Sequence, residues 1–266
     1  MLHAGCSIVM RESGTNTITR QAGLVFCMLM SALALRANAD TNPDDSTMIS
    51  LPISSESLIA YYPLDGNARD LGSHNLHGVP FGASPTRDRH GHPAGALYFD
   101  GVDDYIDLGN SKRLKPQPPF SVCAWVTFER FWGEWFFTNN YDEDYYNGFW
   151  LGAGVGGIGQ PIASFGNGGL TTPLGGRSFF GQDTLQLHNW YFFTAIFYST
   201  EKIDLVIDGK PVKGNYSGFG SSLTYSDGPA LMGKKDTNYD APPWYFKGAV
   251  DELYFLALRE IEWKRV

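Results

Sequence analysis

The densest run of side chains able to do chemistry lies at residues 131–150, FWGEWFFTNNYDEDYYNGFW, where ten of twenty positions are aromatic. Trp135, Phe136 and Phe137 fall in one strand-like run and Phe149 and Trp150 in the next, so alternation sends part of this set into a core. Between them, Tyr141, Tyr145 and Tyr146 share a loop with Asn139, Asn140, Asp142, Glu143 and Asp144. Flat rings beside amides and carboxylates suit sugar binding, because ring faces cover apolar C–H patches while polar groups hydrogen-bond hydroxyls. Trp132, Tyr141, Asp142, Asp144, Tyr145 and Tyr146 are the candidate ligand-binding residues. An acidic surface loop whose tyrosines pack on their own backbone accounts for the same residues.

A second cluster is Asp65-Gly66-Asn67 followed by Asp70, three oxygen-bearing side chains grouped around a glycine. A hard cation such as calcium collects its oxygens from tight loops of this kind. Asx turns explain the same residues without any ion. Transition metals are poorly served: His74, His77, His90, His92 and His188 are scattered through loop-like segments, with no partner cysteine and no helix to hold an i,i+4 pair.

Catalytic patterns are thin. Retaining glycoside hydrolysis needs two carboxyls about 5–5.5 Å apart, and no strand carries alternating carboxylates. Asp142-Glu143-Asp144 sits in a predicted loop, and of the next candidates, Asp103 and Asp107, Asp103 serves a turn. No Gly-x-Ser-x-Gly occurs to support a nucleophile elbow. The stretch Gly152-Ala153-Gly154-Val155-Gly156-Gly157 lacks the following lysine and helix of a phosphate loop. The residues favour a protein that holds molecules over one that converts them.

The elements that must position these residues are strands. Gly 31, Pro 15 and an aromatic content of 15% point to short strands and tight turns. In Phe120–Phe128, Phe120, Val122, Ala124, Val126 and Phe128 share one face at period two, and Ser121, Cys123, Trp125 and Thr127 share the other. Residues 189–198, NWYFFTAIFY, are apolar on both parities, as expected of a central strand covered on both sides. Asp208-Gly209 between strand formers predicts a hairpin, making 190–213 a three-strand meander. Further strands are expected at 58–62, 96–99, 104–108, 134–138, 148–153, 161–165, 229–233 and 246–256. The fold class is all-β, an antiparallel β-sandwich of two packed sheets in a jelly roll.

Residues 22–35, AGLVFCMLMSALAL, are too short for the ~20 residues of a membrane span. Arg11 and Arg20 precede the run and Ala37-Asn38-Ala39 follows it, the order of a secretory leader. Residues 1–39 are therefore expected to be a signal peptide, with the start at Met1 or Met10. Residues 40–56 form a flexible linker, 57–258 the sandwich domain and 259–266 a tail, helical or loose. Cleavage removes Cys6 and Cys27 and leaves Cys123 alone, inside an apolar run that suits a buried, inert thiol. The formal charge of −8, more negative once the leader's arginines are gone, argues against nucleic acid as a partner. Asn215-Tyr216-Ser217 fits a glycosylation acceptor.

Several segments resemble the motifs of laminin-G-like jelly-roll domains in the concanavalin A-like lectin and glucanase group. They are AYYPLDGNARD at 60–70, LYFDGVDDYI at 97–106, and KGAVDELY at 247–254, with Asn189-Trp190-Tyr191 and Val206-Ile207-Asp208-Gly209 in order between them. After the last motif, Phe255-Leu256-Ala257-Leu258 departs from the polar turn usual in such domains. The resemblance implies a concave and a convex sheet. It also implies a structural calcium joining the first strand region to the last strand, which makes Asp251 the distant partner of Asp65, Asn67 and Asp70. The architecture hosts lectins, hydrolases and adhesion modules alike.

The expected function is a secreted or periplasmic non-catalytic binding module for carbohydrate or another extracellular polymer, with calcium as a structural cofactor. An adhesion module that recognises extracellular protein is the alternative, followed by a glycan hydrolase or lyase. Neither nucleic acid nor a membrane span is expected.

Overall fold

The computed structural model of the chain describes residues 58–141, 145–169, 175–235 and 244–257. The leader, the linker and the tail expected from the sequence lie outside these residues. Regular structure among them is strand, apart from two short 3-10 turns. In chain order the strands are β1 (Leu58–Tyr62), β2 (Val79–Phe81), β3 (Ser84–Thr86), β4 (Ala96–Asp100), β5 (Tyr105–Asp107), β6 (Phe120–Phe128), β7 (Glu134–Asn139) and β8 (Phe149–Ala153). They continue with β9 (Pro161–Gly166), β10 (Gly176–Gly181), β11 (Trp190–Phe197), β12 (Ile203–Ile207), β13 (Lys210–Pro211), β14 (Gly214–Ser217), β15 (Ala230–Met232) and β16 (Lys247–Ala257).

Two antiparallel eight-stranded sheets result. The first runs β13-β12-β11-β6-β16-β4-β3, with β1 also pairing β16; the second runs β14-β10-β9-β8-β7-β15-β5-β2. Phe120, Val122, Ala124, Val126 and Phe128 of β6 enter the core between the sheets, where they meet Phe136, Phe137, Phe149 and Phe255. Cys123 and Trp125, of opposite parity, pack with Phe192 on the outer face. Burial pushes the Cys123 thiol up to about 12, which keeps it protonated and unreactive. Strand β11 lies between β6 and β12 and is buried on both faces from Phe192 to Phe197, as its apolar parities predict.

The expected meander is present as β11-β12-β13. Its hairpin turn has Asp208 at φ 50° and Gly209 at φ 74°, the pair of positive angles that matches the twist of adjoining strands. Four strands are additional to those expected: β2, β3, β10 and β14. Pro80 and Pro85 occupy β2 and β3, each at the edge of its sheet, where a missing N–H costs no ladder bond. Gly176 and Gly181 bound β10, and β14 is an exposed edge strand carrying Asn215. Among the described residues no helix is long and apolar enough to cross a membrane.

Candidate binding groove

The outer face of the second sheet carries two cross-strand rows of side chains. In one, Thr138 of β7 stands opposite Trp150 of β8, Trp150 opposite Ser164 of β9, Ser164 opposite Ser178 of β10, and Ser178 opposite Ser217 of β14. In the other, Trp135, Gly152, Ile162 and Phe180 succeed one another across β7 to β10. Two-residue periodicity produces both rows: Phe149, Leu151, Ala163, Phe165 and Phe179 point into the core, so their neighbours point out. In β7 a bulge between Trp135 and Phe137 breaks the alternation, and Phe136 and Phe137 both face inward.

Gly152 leaves room for the Trp135 ring. A Cβ added there would sit 2.0 Å from the Glu134 carbonyl oxygen and 2.9 Å from the Trp135 ring. At the other end, the connection from β7 to β8 folds back over β9, with the Gly168 N–H donating to the Tyr146 carbonyl at 3.1 Å and the Gly166 N–H to that of Gly148 at 2.8 Å. This brings Tyr141 and Tyr146 against Trp150, at ring-centroid distances of 4.6 and 5.9 Å. Trp135 meets Trp150 edge-on at 6.5 Å. Beside these rings, the Ser164 hydroxyl donates to that of Ser178 at 2.7 Å. The Lys235 ammonium closes one side, 5.3 Å from the centre of the Tyr141 ring and 5.9 Å from that of Trp244. The groove is open and about 400 Å³, and no carboxylate lines it among the described residues.

Of the ligand-binding residues read from the sequence, Tyr141 and Tyr146 line this groove. Tyr145 is solvent-exposed and absent from the lining, as is Trp132, 72% exposed in the connection between β6 and β7. Asp142 and Asp144 lie outside the described residues. The sequence reading missed Trp135, Trp150, Ser164, Ser178 and Phe180. Parity within β8 is the available signal for Trp150; the bulge in β7 hides Trp135, and Ser178 and Phe180 lie on β10, a strand additional to those expected.

The residues proposed for calcium are placed differently from one another. Asp70 is buried, and its carboxylate accepts from the amides of Tyr61 at 2.9 Å, Gly72 at 2.7 Å and Leu76 at 2.8 Å. Asn67 makes turn contacts: its Nδ2 donates to the Asp65 carbonyl at 2.8 Å and its Oδ1 accepts from the Arg69 amide at 3.0 Å. Asp251, on β16, pairs with Arg89 at 2.5 Å. Its burial pushes its carboxyl upward, the neighbouring Glu252 adds to this, and Arg89 opposes it. Carboxylates do converge at Asp100, Asp103 and Asp104, whose oxygens lie within 4.8 Å of one another. They also build the turn after β4: Asp100 accepts from the Val102 amide at 2.7 Å and Asp104 from the Asp100 amide at 2.9 Å.

A family model described as the concanavalin A-like lectin/glucanases superfamily matches residues 100–258, more than half of the chain. The chain belongs to that superfamily. Comparison with curated proteins finds no match. Among solved structures, this concanavalin A-like domain is similar to domain 4 of AbnA, a GH43 extracellular arabinanase from Geobacillus stearothermophilus, in complex with arabinotriose. Identity is 16%, the TM-score 0.52, and the match covers 76% of this chain and 92% of that one. A botulinum neurotoxin type C structure, described through its interaction with two ganglioside molecules, matches at 10% identity and TM-score 0.53 over 76% of this chain. The binding domain of botulinum neurotoxin DC in complex with rat synaptotagmin II matches at 11% and 0.53. The chain spans about half of each toxin chain, at 48%. Likeness at these identities carries the fold.

In this concanavalin A-like domain the side chains do not fit the calcium that its resemblance implies. Calcium takes six to eight oxygens. The Asp70 oxygens are engaged with three amides, and a guanidinium occupies the approach to Asp251. Asn67 offers its oxygen to its own turn.

Proposed function

We propose that this domain is an exported carbohydrate-binding module whose site is the groove on the outer face of the second sheet. The observation that carries the reading is the placement of the Trp135, Trp150 and Phe180 rings beside the Ser178 and Ser217 hydroxyls on one sheet face, with the buried Ser164 holding Ser178 by a hydrogen bond. Rings take the C–H faces of a sugar and hydroxyls take its polar edge, while rigid strands hold both in register. An arabinotriose-bound domain among the similar structures, and ganglioside interaction in another, support a saccharide as the ligand class.

The test is a glycan array followed by calorimetric titration of the best oligosaccharide. Micromolar to millimolar binding, weakened by Phe180→Ala, is the expected result. Silence on every sugar overturns the reading and favours protein recognition. Release of reducing ends from a bound polysaccharide would make the domain an enzyme. Export rests on the apolar run at 22–35 and the small residues at 37–39. Amino-terminal sequencing of the secreted product should begin at Asp40; an uncleaved product overturns the leader.

A further inference from the structure

Beyond the groove, the outer face of the second sheet carries another set of rings around a lysine. The chain leaving β15 pairs with the chain entering β16: the Lys235 amide donates to the Trp244 carbonyl at 3.0 Å, Lys234 stands opposite Tyr245, and the Phe246 amide donates to the Gly233 carbonyl at 2.9 Å. The hydroxyl of Thr138, in the outward row of β7, donates to the Lys234 carbonyl at 2.8 Å and ties this paired segment to the outer face.

Consecutive residues of an extended segment point to opposite sides. Lys235 turns to the groove, where its ammonium lies near the Tyr141 and Trp244 rings. Lys234 turns the other way, with its ammonium 4.9 Å from the centre of the Tyr105 ring and 5.9 Å from that of Tyr245. Two adjacent lysines thus place the same group, an ammonium beside two rings, on both sides of one ridge.

The second set stands on β5 and the edge strand β2. Ile106 enters the core, so Tyr105 points outward, and Phe81, opposite it in register, stacks on it at 4.6 Å. Tyr245 lies 6.5 Å from Tyr105, and Phe81 is 44% exposed. Exposed rings with a polar rim mark a contact surface. From β8, which carries Trp150, to β5 is three strand steps, about 14 Å at ~4.8 Å per step.

We infer that Phe81, Tyr105, Tyr245 and Lys234 form a second sugar subsite, and that the ligand is a polysaccharide long enough to lie across the strands and reach both sides of the ridge. The inference rests on the carbohydrate reading of the groove. Both ring sets face the same way, so one chain meets both. The second contact is then intramolecular, and affinity rises with chain length although each subsite is unchanged.

The probe is the saccharide ranked first on the glycan array, titrated against the secreted protein as its trisaccharide and as polymer fractions of increasing length. Affinity per chain should rise about tenfold or more from trisaccharide to polymer. Lys234→Ala and Phe81→Ala should each remove most of that rise and leave trisaccharide affinity within about twofold. Lys210→Ala, on the edge strand β13 of the other sheet, should change neither, which separates the subsite from general attraction by lysine charge. An affinity that does not grow with length, or growth that survives both Lys234→Ala and Phe81→Ala, overturns the second subsite and leaves the groove standing. An array silent on every sugar overturns the groove and the second subsite together.

Discussion

Arg89 and Asp251 stand 162 positions apart in the chain and 2.5 Å apart in space, with side chains 6% and 3% exposed. A pair this dry is costly to break on one side only, because the partner's charge stays buried, and Arg89 keeps only the more distant Glu252 at 3.2 Å. Asp251→Ala should lower the unfolding free energy by about 3–5 kcal/mol. Replacing both, as Arg89→Met with Asp251→Leu, should cost clearly less than Arg89→Met alone, since only the part-exposed Glu252 then loses its cation. Urea denaturation of the three variants checks this; equal losses in all three would show that packing, and not charge, sets the penalty.

The connection that delivers Arg89 should fail in acid. Burial works against the Asp88 charge, but hydrogen bonds from the His92 ring and from the His92 and His90 amides outweigh it and hold the carboxyl below its ordinary value of 3.8. A depressed folded-state value means stabilisation that is fully present above the ordinary value and lost as pH falls through the folded one. Asp88→Asn should therefore melt below wild type at about pH 6, and the gap should close towards about pH 2–3. A gap that is constant with pH would assign the effect to shape alone.

The hairpin at Asp208-Gly209 was fully visible in the sequence, and it supplies a sharp test of backbone conformation. Gly209 has φ 74°, where a β-branched side chain is strained. Gly209→Val should cost about 1–2 kcal/mol. Gly209→Asn, which tolerates the left-handed region, should cost less than half of that. Denaturant midpoints separate the two.

Much of the sandwich was legible for the same reason that hairpin was: buried strands advertise themselves by period two. Both faces of β6 and the two-sided burial of β11 follow from the order of their apolar residues. Edge strands carry no such mark, which is why β2, β3 and β14 do not stand out; β10, between β14 and β9, is bounded by glycines and only partly buried, and proline, glycine and exposed polar residues look the same in a loop. The site was legible by composition and not by geometry. The aromatic run at 131–150 does supply Trp135, Tyr141, Tyr146 and Trp150 to the groove. Tyr145 and Trp132 lie outside that groove, because a bulge in β7 and the small Gly152 help to decide which rings lie on the sheet, and neither shows in residue type. The family resemblance singles out Asp251 on the last strand, as a calcium ligand. Its partner could not be read, since nothing local links it to Arg89.

Tyr146 and Phe180 line the groove, whereas Trp132 and Tyr145 do not. Against the oligosaccharide that binds best, Tyr146→Ala and Phe180→Ala should each weaken affinity fivefold or more, roughly 1 kcal/mol or above for a ring anchor. Ser178→Ala removes the acceptor of the Ser164 hydroxyl as well as one polar contact for the sugar, and should cost about 0.5–1.5 kcal/mol. Trp132→Ala and Tyr145→Ala should leave affinity within about twofold, as expected of residues outside the anchoring centre. Calorimetric titration of the five variants decides the matter. Loss of binding through Trp132 or Tyr145, with Phe180→Ala silent, would move the site off the sheet and onto the loops around it.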